Sequence, residues 1–206
     1  APNAKYIIVS NPVDIMTYVF TKISGLPENQ IMGSGTILDT ARLRYGLSEH
    51  FQVAQGNIHA YVFGEHGDTS FIPWTGAYIS GLSTDEYYEE MKAHGKDVKP
   101  LDKEAMLEYV QKSGGKVIAK KGATFYAVSA TVCQLVGLIL AASDSLATVS
   151  SMLHGEYGIE DVCLSTLTLV GPNGIQGKVQ MRMNKEEVEL LKKSANALKE
   201  VIAQIE

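Results

Sequence analysis

The chain has 206 residues, 45% of them apolar and 20% charged, which is ample for a buried core and too little charge for a disordered chain. Its 18 Lys+Arg against 23 Asp+Glu give a formal charge of −5 and a pI near 5.6, with no basic run to neutralise a phosphate backbone, so nucleic acid is excluded as the main ligand. Two cysteines, Cys133 and Cys163, stand in unrelated contexts and exclude a disulfide framework and a structural zinc site. A reducing, cytoplasmic setting is the expectation, and the opening APNAKYIIVSNPVD has neither the basic start nor the apolar run of an export signal.

In chain order, Lys5 to Ser10 is a β-rich run without polar alternation, as a strand covered on both faces requires. Asn11-Pro12 stops it and opens a helix over Val13 to Ser24, whose Ile15, Met16, Val19, Phe20 and Ile23 recur at three-four spacing until Gly25. A second short strand at Gln30 to Gly33 precedes a helix from about Thr36 to Phe51, and this alternation predicts the edge of a parallel α/β sheet. From Asn57 the glycines Gly64, Gly67, Gly76 and Gly81 imply short strands or hairpins. Ser83 to Glu86 reads as a capping box, Lys92 to Lys103 as a surface loop, and Met106, Leu107, Val110, Val117 and Ile118 as a helix weakened at Gly114-Gly115.

Gly122 to Ser143 carries no charge and is long enough to span a bilayer. Thr124, Ser129, Thr131 and Gln134 interrupt it, so a buried core helix is expected rather than a membrane span. Cys163 to Val170 and Lys178 to Met183 read as strands flanking the turn Gly171-Pro-Asn-Gly174. Asn184 caps a last helix, Lys185 to Ile205, with Val188, Leu191, Ala195, Leu198, Ile202 and Ile205 in one apolar stripe.

Three clusters carry chemistry: Asn11 in SNPVD, Asp39 with Arg42 in LDTAR, and His66 in GEHGD. Asn11 is either turn chemistry or a ligand group at the carboxyl end of a parallel strand. Asp39 and Arg42 share a helix face and form either a surface ion pair or two separate tools, a guanidinium fork for a carboxylate and an acceptor for a histidine. His66, between glycines and acids, is either structural or an acid–base group that a ligand can approach closely. HExxH is absent and no second histidine stands at a ligating spacing, so no metal is expected. Gly33-Ser-Gly35 opens a helix as a dinucleotide fingerprint does, but position 38 is Leu, and no G-x-G-x-x-G, G-x-S-x-G or P-loop occurs.

Taken together, SNPVD, GSGTILDTARLR, GEHGDTSF with its following PW, and KGATFYAV resemble the L-lactate dehydrogenase branch of the lactate/malate dehydrogenase family, from about Tyr6 to the C-terminal helix. The resemblance implies an α/β fold with an α+β substrate domain over residues 34–206 and, over residues 1–33, the remnant of a parallel dinucleotide-binding sheet. It implies NAD as cofactor and pyruvate and L-lactate as substrates in fermentation, with malate or another 2-hydroxy acid as the alternative.

By the same resemblance His66 donates and accepts the proton, Asp39 orients it, and Arg42 binds the substrate carboxylate. Asn11 meets the substrate oxygen or the nicotinamide ribose, Thr124 lines the substrate pocket, and Val9 and Val128 contact the nicotinamide, Val128 four residues beyond Thr124 on the same helix face. Arg44 and His59 match an allosteric site for fructose 1,6-bisphosphate between the subunits of a homotetramer or dimer. The resemblance begins near the family's midpoint, so the glycine-rich turn, the ribose-binding acid and the mobile specificity loop have no counterpart here. A sheet edge left exposed at Tyr6 to Gly33 is the expected consequence, and a catalytically silent module for subunit interaction or effector binding is the alternative of another class.

Overall fold

The computed structural model describes residues 1–205. The chain enters as β1 (Tyr6–Ile8), α1 (Val13–Ser24) and β2 (Ile31–Gly33), and the two strands pair in parallel with Tyr6 opposite Ile31 and Ile8 opposite Gly33. Parallel pairing demands a crossover, and α1 provides it, closing on Gly25 in the left-handed conformation (φ 64°). Next come α2 (Ile37–Phe51), the hairpin strands β3 (Ile58–His59), β4 (Tyr78–Ile79) and β5 (Leu82–Ser83), and α3 (Thr84–Ala93). The expected capping box on α3 forms: Ser83 Oγ accepts from the Glu86 amide and the Glu86 carboxylate accepts from the Ser83 amide.

α4 (Lys103–Lys121) runs unbroken through Gly114-Gly115. Nineteen residues of helix, capped at Asp102 and at Gly122, outlast the local cost of two glycines. Gly122 (φ 76°) ends it, so the uncharged stretch is not one long helix; α5 is only Tyr126–Leu140, and no helix among the described residues is long and apolar enough to cross a membrane. The core-helix expectation is corrected. Only Thr131, Leu135 and Ile139 of α5 are buried, at four-residue spacing, whereas Tyr126 is 81% and Leu140 79% exposed.

The C-terminal part holds β6 (Ser145–Ala147), β7 (Ser150–His154), β8 (Glu160–Ser165), β9 (Thr168–Gly171), β10 (Gly174–Lys178) and α6 (Lys185–Ile202). The run expected as one strand over Cys163–Val170 is two, because the chain changes sheets at Thr166-Leu167: β8 pairs β7, and β9 pairs β6 and β10. The Gly171–Gly174 turn forms as read, but its second strand starts at Gly174, not Lys178, and residues 179–183 lie outside any strand. Asn184 caps α6 in a second capping box, with Glu187. Helix α6 stops at Ile202, leaving Ile205 exposed, and its buried Leu191, Ala195, Leu198 and Ile202 pack on the body.

β1-β2-β7-β8 is a mixed sheet, with β2 antiparallel to β7 through Gly33 opposite Ser150. A Cβ on Gly33 would lie 2.4 Å from Thr17 Oγ1 and 3.0 Å from Ser150 Cβ; only glycine lets α1 and β7 meet here. β1 ends the sheet, with no strand on its other side among the described residues. Beneath lie three apolar clusters: one around Tyr18, Phe63, Leu164 and Leu191, one under α2 around Leu43, Leu47 and Ile79, and one between α5 and β9 around Leu135, Val149 and Val170.

Candidate active site

Asp39 sits in the first turn of α2 and Arg42 one turn later. One carboxylate oxygen, Oδ1, accepts from Arg42 Nη1 at 3.1 Å; the other, Oδ2, lies 2.6 Å from His66 Nδ1. The structure therefore corrects the surface-pair reading, since the side chains are only 8% and 15% exposed, and Asp39 accepts from a histidine distant in sequence, as the other reading expects, while also holding Arg42. An acceptor on Nδ1 fixes the proton there in the neutral ring and leaves Nε2 to exchange a proton. The imidazole pKa is raised above its ordinary value, chiefly by the hydrogen bond to Asp39, against burial, with the charges of Asp39 and Asp14 adding and that of Arg42 subtracting.

The loop that carries His66 is tied down on several sides. Gly64 exchanges two 3.0 Å backbone hydrogen bonds with Ser165 of β8, the Glu65 amide donates to Ser194 Oγ of α6 at 2.8 Å, and the His66 amide donates to Asp14 Oδ2 of α1 at 2.7 Å. On the far side Gln111 of α4 donates to the carbonyls of Asp68 and Ser70. Asp14, Ser194 and Gln111 escaped the sequence reading. The first two carried a signal, a carboxylate and a hydroxyl set among apolar residues on the buried faces of α1 and α6; Gln111 carried none.

Asn11, Asp39, Arg42, His66, Thr124 and Val128 line one cavity of about 220 Å³, with Gln111 and Ile118 of α4 on its rim. Thr124 precedes α5 and so does not share a helix face with Val128, yet both reach the cavity. A smaller recess of about 40 Å³ shares Asn11, Leu38, His66 and Val128 and adds Val9, Ser34 and Thr131. Arg44 faces elsewhere, into a cavity of about 300 Å³ between α2, α5 and β6, where its Nε donates to the Ala60 carbonyl and its guanidinium lies 5.0 Å over the Tyr61 ring. His59 is exposed on β3, beside Ala60 but outside the residues that line that cavity.

A histidine, a carboxylate and a guanidinium thus meet at one cavity beyond the carboxyl ends of the parallel strands β1 and β2, the place where open α/β sheets set their sites. The chain belongs to the lactate/malate dehydrogenase family: residues 36–206 match its α/β C-terminal domain and residues 1–33 its NAD-binding domain. It is 47% identical, over 95% of its length, to an L-lactate dehydrogenase of Acetivibrio thermocellus and 44% identical, over 99%, to L-lactate dehydrogenase 1 of Clostridium acetobutylicum. It spans 61% and 64% of those proteins. Among solved structures it matches an L-lactate dehydrogenase from Clostridium thermocellum (TM-score 0.88, 37% identity, 98% of this chain and 65% of that one). A lactate dehydrogenase from a deep-sea metagenome library superposes at TM-score 0.90, with 31% identity over 96% of this chain and 62% of the other.

Proposed function

We propose that the chain is the substrate-binding and proton-transfer part of an NAD-dependent L-lactate dehydrogenase, residues 34–206, preceded by the tail of its cofactor domain, residues 1–33. The observation that carries this reading is the convergence of His66, Asp39 and Arg42 on a cavity that Asn11 and Thr124 also line. In the reducing direction the His66 imidazolium gives its Nε2 proton to the carbonyl oxygen of pyruvate; in the oxidising direction neutral His66 takes the proton of the lactate hydroxyl. Asp39 keeps Nδ1 protonated and favours the charged ring. Arg42 still has guanidinium N–H groups to spare for the substrate carboxylate, which fixes the reacting carbon, and Asn11 donates to the carbonyl oxygen.

The smaller recess offers one wall for a nicotinamide: Val9, Leu38 and Val128 are its apolar residues, and Asn11 and Ser34 offer polar groups to a ribose or carboxamide. NAD supplies the hydride acceptor, and its reduced form the donor. Val128 belongs to both cavities, so it sits where cofactor ring and substrate would meet. Arg44 and His59 are read as one half of a fructose 1,6-bisphosphate site completed by a second subunit of a cytoplasmic dimer or tetramer; what supports this is the Arg44 guanidinium lining the larger cavity, with His59 exposed nearby in sequence.

The test joins the chain to the N-terminal segment that its relatives carry and follows pyruvate-dependent NADH oxidation. His66→Gln is expected to lower turnover by about 10²–10⁴-fold. A near-normal rate removes His66 from the chemistry, and faster turnover of oxaloacetate than of pyruvate rejects the lactate assignment.

A further inference from the structure

We propose that Asp14 is a positioning residue for His66, anchoring the backbone of the histidine loop and placing a second negative charge behind the imidazolium; this rests on the proton-transfer role of His66. The geometry is direct. Asp14 is 3% exposed, lies in the first turn of α1, and accepts the His66 amide proton through Oδ2 at 2.7 Å. One residue thus has its backbone held by Asp14 and its ring held by Asp39. A carboxylate at the amide restrains the loop without competing for either ring nitrogen.

A neutral side chain would serve the fold better. Asp14 Oδ1 has no hydrogen-bond partner, and neither has the fully buried Ser150 Oγ of β7. The Ser150 hydroxyl is a polar neighbour that favours the ionised carboxylate rather than a bonded partner. Burial pushes the Asp14 pKa up to about 6, against the pull of Ser150 and of the His66 amide and ring, and with Glu65 adding to the rise. Asparagine at this place would keep an acceptor for the His66 amide, bring a donor within reach of Ser150, and carry no charge to desolvate. Packing and hydrogen bonding therefore do not call for the acid; a neighbour that must hold a positive charge does.

The groups facing Asp14 bear this out. His66 and Glu65 come from the loop, and Asp39 and Arg42 reach it through the imidazole from α2. From β8 comes Cys163, whose thiol burial pushes up to about 12 and keeps neutral. His66 is the cation among the groups acting directly on Asp14, and the Asp14 charge raises its pKa in return. The arrangement trades stability for a charged histidine, as functional sites do.

The test is an NMR titration of the His66 ring Cε1–H in the 206-residue chain, assigned by its loss in His66→Gln, with urea unfolding near neutral pH alongside. Asp14→Asn is expected to move the His66 midpoint downward, by less than Asp39→Asn does, while the urea midpoint stays level or rises. Asp14→Glu, which restores the charge, is expected to return the titration toward the native value. An unchanged or raised His66 midpoint in Asp14→Asn overturns the proposal. Should that variant not fold, Ser150→Ala decides: with the hydroxyl gone Asp14 ionises less readily and the His66 midpoint falls, and an unmoved midpoint is fatal. This titration is independent of turnover, so a joined enzyme that survives His66→Gln defeats the functional reading and leaves the electrostatic one standing.

Discussion

Asp39→Asn tests the site through stability and needs no substrate. Asp39 is 8% exposed and neutralises two cations, Arg42 at 3.1 Å and His66 at 2.6 Å. Removing one partner of a buried charged pair costs about 3–5 kcal/mol; because Arg42 and His66 border a cavity that water can enter, the lower end, about 3 kcal/mol, is expected. Part of that loss depends on pH. Asp39 raises the folded-state pKa of His66 above its ordinary 6.5, so the pair's contribution is fully present below 6.5 and disappears as pH rises through the raised value, each unit of elevation contributing about 1.4 kcal/mol. Asp14 titrates near 6 with the opposite charge, but it is present in both proteins and its contribution largely cancels in the difference. Urea unfolding of the native chain and of Asp39→Asn, across a pH series spanning the His66 midpoint, reads the gap directly. The gap should be wider below the His66 midpoint and narrow toward alkaline pH. A gap constant with pH, or widening as pH rises, refutes the coupling between Asp39 and the histidine.

Two further substitutions probe the frame and the guanidinium. At Gly35 (φ 48°) an added Cβ would lie 2.3 Å from Ser165 Oγ and 2.6 Å from the Ser150 amide, so Gly35→Ala is expected to lower stability by about 2–4 kcal/mol in urea unfolding; a loss below about 0.5 kcal/mol would mean that α2 shifts freely at its start. Arg42→Lys keeps the charge but loses the fork, and in the joined enzyme kcat/KM for pyruvate should fall about 10- to 100-fold, the equivalent of one charge-assisted hydrogen bond. An unchanged steady-state profile would confine Arg42 to holding Asp39.

The opening strand, crossover helix and second strand were legible because their signals are local: an apolar run, a proline, a glycine stop. β6 and β7 were not. Their sequence, SLATVSSMLH, is rich in serine, and hydropathy ranks serine with the surface; yet Ser150 and Ser151 are buried, Ser150 because it faces Gly33, where a larger side chain would keep α1 and β7 apart. α5 shows the converse failure. Apolar residues on every face suggested full burial, but composition does not say which face another element covers, and the Tyr126 and Leu140 side lies open.

For the site, the residue types were legible and their mutual arrangement was not. Nothing local ties His66 to Asp39, 27 residues away; the contact exists because the Gly64–Ser165 bridge brings the loop across the sheet to the start of α2. The pairing of Asp39 with Arg42 was visible as helix spacing, but burial turns a pair that contributes about 0–1 kcal/mol at a surface into the anchor of the cluster. Asp14 lay in a quoted motif, SNPVD, and was passed over because Asn11 in the same motif has the more obvious chemistry. An acid between Val13 and Ile15 on a helix packed against β2, β7 and β8 has little chance of reaching solvent. A buried acid in such a place calls for a cation or a row of amides, and here the His66 backbone and its ring answer both demands.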